Sequence, residues 1–131
     1  MVSPTTLSNI GSQFEWKRKY RTKSLPFADK IPFIRELIIN NIESSLLKKV
    51  YIFGSYAYGR PTKDSDIDIC IIVGNECKNV TDIYEIIGPV LRKNNIRNYD
   101  LLIYREKIFK NIFNPKGIEA VITKKGILLY G

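Results

Sequence analysis

The chain contains no histidine. That absence excludes the Ser–His and Cys–His pairs of nucleophilic catalysis and leaves carboxylates and lysines as the available general bases. Cysteine is scarce too, at two residues, Cys70 and Cys77. They are not spaced as Cys-x-x-Cys and have no histidine to complete a zinc site, so neither a tetrahedral metal centre nor a redox dithiol is expected. Cys70 lies in an apolar run and reads as a small buried hydrophobe, Cys77 as a free thiol in a loop. No apolar run approaches the ~20 residues that a membrane span needs, and no early apolar segment resembles a signal peptide, so a soluble, cytoplasmic protein without a membrane partner is expected. Repeats, low-complexity tracts and linkers are also missing. The 131 residues, 44% hydrophobic and 26% charged, therefore read as one folded domain.

Positive charge is what the chain has in excess, with a net value of +8. Residues 1–30 hold six Lys/Arg against two Asp/Glu, residues 105–131 again hold six against two, and residues 31–104 hold nine of each. The basic excess sits at the two ends. Such a field raises the local concentration of an anionic partner, whether nucleotide, RNA or an acidic protein face, or it serves solubility alone. Within the first end, residues 14–23 (FEWKRKYRTK) mix three aromatics with five cations. Stacking and phosphate pairing could hold single-stranded nucleic acid there, although aromatics so placed more often anchor on their own domain or on a partner.

Residues 53–69 carry the chemistry. An apolar run breaks at Gly54-Ser55, a small-residue turn follows, and a second apolar run opens with Asp66-Ile67-Asp68. The pattern is strand, turn, strand. Side chains alternate along a strand, so Asp66 and Asp68 point the same way with Cα atoms about 6.6 Å apart. Oxygen-only ligands suit a hard cation such as Mg²⁺, which takes one or two carboxylates and completes its shell with water and phosphate. Gly54 allows close backbone approach to a phosphate, the first amides of the 56–59 turn add partial positive charge, and Ser55 adds a hydroxyl donor. A third carboxylate, Asp100, opens a later apolar run, residues 100–104. Three carboxylates can hold two divalent ions roughly 4 Å apart, with Asp100 as metal ligand, general base or both. Arg60 and Lys63 are the nearest cations, available to a leaving pyrophosphate or simply solvated. Asp64 reads as a turn residue. Asp-x-Asp or Gly-Ser alone would be a weak signal; their order and spacing carry the argument.

Gly-Ser, ten residues, then Asp-x-Asp, with Ala57 and Gly59-Arg60 in the turn and Ser65 before the first aspartate, resembles the nucleotidyltransferase superfamily of DNA polymerase beta. The size resembles its minimal nucleotidyltransferases (MNT). Tyr99-Asp100-Leu101-Leu102 looks like that family's third-carboxylate strand, and residues 118–130 are similar to its closing helix, glycine and short strand. The resemblance covers about residues 31–131 and leaves residues 1–30 as a basic N-terminal extension. It implies an α/β (α+β) nucleotidyltransferase fold, a small mixed β-sheet packed with helices in one domain. It also implies that Gly54, Ser55, Arg60, Lys63 and Ser65 bind the nucleotide, and that Asp66, Asp68 and Asp100 hold two Mg²⁺ ions and catalyse transfer with ATP as substrate. Larger relatives add a helical domain that completes the acceptor site; none is expected here after the core, so their antibiotic and RNA acceptors are not expected to carry over. Freestanding minimal members are often antitoxins of HEPN-domain toxins, which implies transfer of AMP to a partner's hydroxyl, typically of tyrosine, across a protein interface, and leaves an oligomer open. Two alternatives stay open: nucleotidyl transfer to RNA or tRNA, and a catalytically weak nucleotide-binding subunit that blocks its partner by binding.

The remaining pattern gives the supporting elements. Ile31, Phe33, Ile34, Leu37, Ile38, Ile42, Leu46 and Leu47 recur at helical spacing over residues 30–49, with Asp29 and Pro32 fitting a helix start. A strand is expected at residues 50–53. Residues 66–73 are apolar on both faces beyond the aspartates, so that strand should be central, ending at Gly74-Asn75. A second helix is expected over residues 81–94, kinked or restarted at Gly88-Pro89, then a strand at 98–104. A short helix at 105–113 should turn Ile108, Phe109, Ile112 and Phe113 inward. Asn114-Pro115 should open a last helix to Lys124, before a strand at 127–130.

Overall fold

The computed structural model describes residues 27–62 and 64–131. The aromatic, basic stretch 14–23 and Lys63 lie outside the described residues, and the boundary expected at residue 30 falls inside the first described helix. In chain order the elements are α1 (Phe27–Asn41), β1 (Leu47–Phe53), the one-turn α2 (Ser55–Tyr58), β2 (Ile67–Val73), α3 (Val80–Lys93), β3 (Tyr99–Arg105), α4 (Glu106–Ile112), α5 (Ile118–Lys125) and β4 (Ile127–Tyr130).

The strands form one mixed sheet in the order β3-β2-β1-β4. Connection length explains the pairing. β1 returns through a short turn and loop to an antiparallel β2, whereas β2 reaches β3 through the α3 crossover and pairs with it in parallel. On one face, Val50, Ile52, Ile67, Ile69, Ile71 and Val73 pack against α1 (Ile34, Leu37, Ile38) and α3 (Ile83, Ile87, Leu91). On the other, Tyr51, Phe53, Cys70 and Ile72 meet Phe109 of α4 and Ile122 of α5. β2 is thus covered on both sides, as its composition demands. No helix among the described residues is long and apolar enough to cross a membrane.

α3 runs unbroken through Gly88-Pro89, with the Asn79 side chain accepting from the Thr81 amide as its N-cap. An interior proline costs about 3 kcal/mol, while burying Ile83, Ile87 and Leu91 contributes about 1.5–3 kcal/mol each, so burial wins. The helix does not restart at Pro89.

Other boundaries differ from the sequence reading. α1 stops at Asn41, because the Leu46 and Leu47 amides turn back to Glu43 O and Leu47 enters the sheet opposite Val73. Lys48 and Lys49 are strand residues, and Pro32 lies inside the helix. β2 begins at Ile67, one residue after Asp66. In α4 only Phe109 is buried; Ile108, Ile112 and Phe113 are each at least 41% exposed. Two helical turns can direct a single side chain fully into the sheet. Asn114 does not cap α5: its side chain accepts from the Lys116 amide and its carbonyl from Gly117, which makes a separate turn, and α5 starts at Ile118. Cys77 is in a loop and free, yet buried within the main core.

Candidate active site

β1 delivers the chain to Phe53, which pairs with Asp68, and Gly54 then bends it away. Gly54 has φ 74° and ψ −155°, a combination open essentially to glycine. It also has no room for a side chain. An added Cβ would overlap Asp68 Oδ2 and lie 2.9 Å from its Cγ. The bend and Asp68 are therefore in direct contact. Beyond it, the Ala57 and Tyr58 amides donate to Gly54 O and the Gly59 amide to Ser55 O, so the expected turn is a single helical turn, α2.

The loop back is closed by Ser65. Its Oγ accepts from the Thr62 amide at 2.8 Å and sits 3.2 Å from Thr62 Oγ1, while its own amide donates to Thr62 O. Ser65 thus shapes the loop that leads to the aspartates. Asp64 is exposed in this turn, as expected, and Arg60 is exposed beside it. The start of β2 is tied to the approach of β3 by a hydrogen bond from the Ile67 amide to Asn98 O.

Asp68 and Asp100 are register partners across the parallel β2–β3 pair. Neighbouring strands lie about 4.8 Å apart, and side chains in register share a face. That face is the one holding Cys70 and Ile72 on β2 and Leu102 and Tyr104 on β3, under α4 and α5. Asp66 precedes the strand and is exposed, but close enough to act on Asp68. Burial, then the charge of Asp100, then that of Asp66 raise the Asp68 carboxyl above its ordinary 3.8. The ion pair found among the described residues is Arg35–Glu36 on α1, and none of the three aspartates has one. No cation among the described residues is paired with their negative charge.

Among the described residues, no three acidic, cysteine or histidine side chains close on one point tightly enough to hold a metal ion unaided. The donor set nonetheless suits a hard divalent cation. It is all oxygen, two carboxylates adjoin, and Mg²⁺ characteristically draws the rest of its shell from water and substrate phosphate.

Two groups on this face were not singled out from sequence. Glu119 of α5 is buried, and its charge, after burial itself, helps push the Cys70 thiol up to about 12. Burial, Cys70, Glu119 and Tyr84, in that order, raise Tyr104 as well. Cys70 is thereby an inert thiol. Lys125, at the end of α5, places Nζ 6.0 Å from the centroid of the Tyr58 ring in α2. Helical spacing announces neither, since both depend on α5 folding over a strand distant in sequence.

The chain resembles known proteins in two ways. No curated protein matches it. Solved structures that share its fold include a toxin–antitoxin with AMP-PNP, at 23% identity and TM-score 0.55 over 77% of this chain and 73% of that one, and a mutant of the toxin–antitoxin MntA–HpeT, with two aspartates changed to glutamate, at 20% identity and TM-score 0.53 over 82% and 74%. A family model, the nucleotidyltransferase domain, matches residues 34–129. Because that match runs from α1 to β4 and takes in the glycine-serine bend together with Asp66, Asp68 and Asp100, the chain belongs to the nucleotidyltransferase family.

Proposed function

We propose that the protein transfers AMP from ATP to a hydroxyl of a partner protein in the cytoplasm, and that the partner is a HEPN-domain toxin for which it acts as antitoxin. The observation that carries the reading is the in-register pair Asp68–Asp100, with Asp66 beside it and no cation among the described residues paired to any of them, pressed against the bend at Gly54. Asp66, Asp68 and Asp100 would hold two Mg²⁺ ions, which when bound neutralise phosphate charge and favour ionisation of the attacking hydroxyl. Gly54 and Ser55 contact the triphosphate. Asp100 takes the proton as the acceptor oxygen bonds to the α-phosphorus. The bond from that phosphorus to the bridging oxygen breaks, and pyrophosphate leaves with the electron pair. Arg60 and Lys63 attend the leaving group, and Ser65, bonded to Thr62, shapes the loop that leads to the aspartates.

A protein acceptor is favoured over RNA by the surface around α4. Ile108, Ile112, Phe113 and Ile118 are each at least 41% exposed, next to exposed Lys107, Lys110 and Lys116. Three of the four are aliphatic and cannot stack on bases as an aromatic ring does, and an apolar patch with a charged rim suits a protein partner. The likeness to two toxin–antitoxin proteins supports the same partner class.

The test is labelled ATP and Mg²⁺ incubated with the co-purified partner and, separately, with total RNA. Label is expected on the partner, with near-complete loss in Asp66→Ala/Asp68→Ala while the fold is retained. Label on RNA alone would overturn the acceptor assignment. ATP binding without transfer to anything would instead identify a subunit that blocks its partner by binding.

A further inference from the structure

Lys124 and Lys125 occupy the last turn of α5, where cations ordinarily complement the helix dipole. Contacts give Lys125 a second role. Its Nζ lies against the ring of Tyr58, the last residue of α2, whose amide is bonded back to Gly54 O at 3.1 Å. The next residue, Gly126, is pressed on β1, since a Cβ there would be 3.0 Å from Ile52 O. The end of α5 is thus fixed beside the end of β1, where the glycine-serine bend begins. One turn earlier, Ile122 packs with Phe53 and Cys70, so α5 covers the sheet face that carries Asp68 and Asp100. A primary amine from one end of the sequence is brought to the bend from the middle of it.

We propose that Lys125, aligned by the Tyr58 ring, forms a polyphosphate subsite that takes the β- and γ-phosphates of the incoming triphosphate and stays with the departing pyrophosphate. The inference rests on the nucleotidyltransferase reading of the aspartates. Among the described residues none of the three carboxylates has an ion-pair partner, so any Mg²⁺ bound there is shared between them and the triphosphate, and a further cation on the β- and γ-phosphates offsets the charge that remains. Arg60 stands on an exposed loop; Lys125 stands on a helix packed into the core. An ammonium serves phosphate as a point charge, and an aromatic face within about 6 Å limits its swing. Tyr58 is 49% exposed, which leaves solvent, and so an anion, access to the amine. The subsite reads the phosphate tail, so it discriminates triphosphate from AMP.

Calorimetric titration of the full chain in Mg²⁺ with AMP-PNP, inorganic pyrophosphate and AMP tests this. Lys125→Ala should weaken AMP-PNP and pyrophosphate by about tenfold, equivalent to one charge-assisted contact, and leave AMP affinity and the thermal midpoint unchanged. Lys125→Arg should retain most of the affinity. Lys124→Ala makes the same charge change in the same turn, about 100° around the helix, and should alter binding by less than about twofold. Tyr58→Ala, which removes the ring, should weaken AMP-PNP as Lys125→Ala does, and Tyr58→Phe, which keeps the ring, should rescue most of that loss. Equal losses in Lys124→Ala and Lys125→Ala, or an equal loss of AMP and AMP-PNP, would overturn the subsite. Wild-type protein that binds no AMP-PNP overturns the underlying nucleotidyltransferase reading and the subsite with it. Wild-type protein that binds it, with Lys125→Ala binding equally, overturns the subsite alone.

Discussion

Replacing Gly54 by alanine probes the contact on which the site is built. At φ 74° and ψ −155° a residue with a side chain carries about 1–3 kcal/mol of backbone strain. The new methyl would also overlap Asp68 Oδ2, and turning that carboxylate off its rotamer costs about 0.5–1.5 kcal/mol. Together the loss is about 2–4 kcal/mol, against a total stability of about 5–15 kcal/mol. At about 4 °C per kcal/mol for a domain of this size, the thermal midpoint should fall by roughly 8–16 °C. Transfer should fail as well, because the displaced group is Asp68. Scanning calorimetry on Gly54→Ala, Asp68→Ala and the double variant separates the two costs. In the double variant the methyl has no carboxylate to strike, so part of the loss should return as a coupling energy between the sites. A Gly54→Ala protein melting within about 2 °C of wild type, or a double variant with no recovery, would refute the reasoning.

Asp68→Asn should abolish transfer and yet raise the thermal midpoint of the metal-free protein. Burial first, then Asp100 and Asp66, hold the Asp68 carboxyl above 3.8, so the folded state keeps its proton more tightly than the unfolded state. The stability this group contributes is present at low pH and is lost as pH rises through the raised value, so the variant's advantage should grow from acid toward neutral pH. A pH-independent difference would contradict it. Cys70 follows the same sign at higher pH: with its thiol moved from 9.0 to about 12, its contribution is full below 9.0 and is lost as pH rises toward 12. Neither buried thiol should react with a disulfide reagent at pH 8 until the protein is denatured, and fast labelling of the native state would refute this. Ile112→Asp, at a position 46% exposed, should change stability by no more than about 0.5 kcal/mol but sharply reduce labelling of the partner; unchanged labelling removes the α4 surface from acceptor docking.

The central strand and the placement of its aspartates were legible because two local rules agreed there. Alternation with apolar residues on both faces marked β2 as covered, and Gly54-Ser55 and Asp66-x-Asp68 flanked a turn of the right length. Asp100 was legible by the same logic, as a carboxylate at the head of an apolar run. The α1–β1 boundary was not, because Leu46 and Leu47 satisfy helical spacing as well as they open a strand, and only the pairing of Leu47 with Val73 decides. In α4, Ile108, Ile112 and Phe113 look like core to any reading of hydrophobicity, yet a helix of two turns has one inward position and Phe109 takes it. Asn114-Pro115 carries a helix-start signal that the chain uses for an isolated turn. The approach of Lys125 to Tyr58 left no local trace, since it exists only after α5 has packed across the sheet.

The acidic end of β2 sets a charge conflict against a hydrophobic pattern, and magnitudes decide the outcome. Unit charges about 5 Å apart repel by about 1–3 kcal/mol at the dielectric of a protein surface, and less once solvent and salt screen them. Register ties Ile69 to Leu101 and Ile71 to Ile103 along the same two strands that set Asp68 opposite Asp100. Parting the carboxylates by a one-residue slip of β2 would turn Ile67, Ile69, Ile71 and Val73 away from α1 and α3. At about 1.5–3 kcal/mol per side chain that slip costs about 6–12 kcal/mol, several times the repulsion it would relieve. The carboxylates are therefore held together by apolar residues that never touch substrate. Truncating those residues should loosen the site before it unfolds the domain: Ile69→Ala, fully buried in wild type, should cost about 2–5 kcal/mol and lower transfer in the fraction that remains folded. Transfer per folded molecule equal to wild type would show that the register is held by something other than this core.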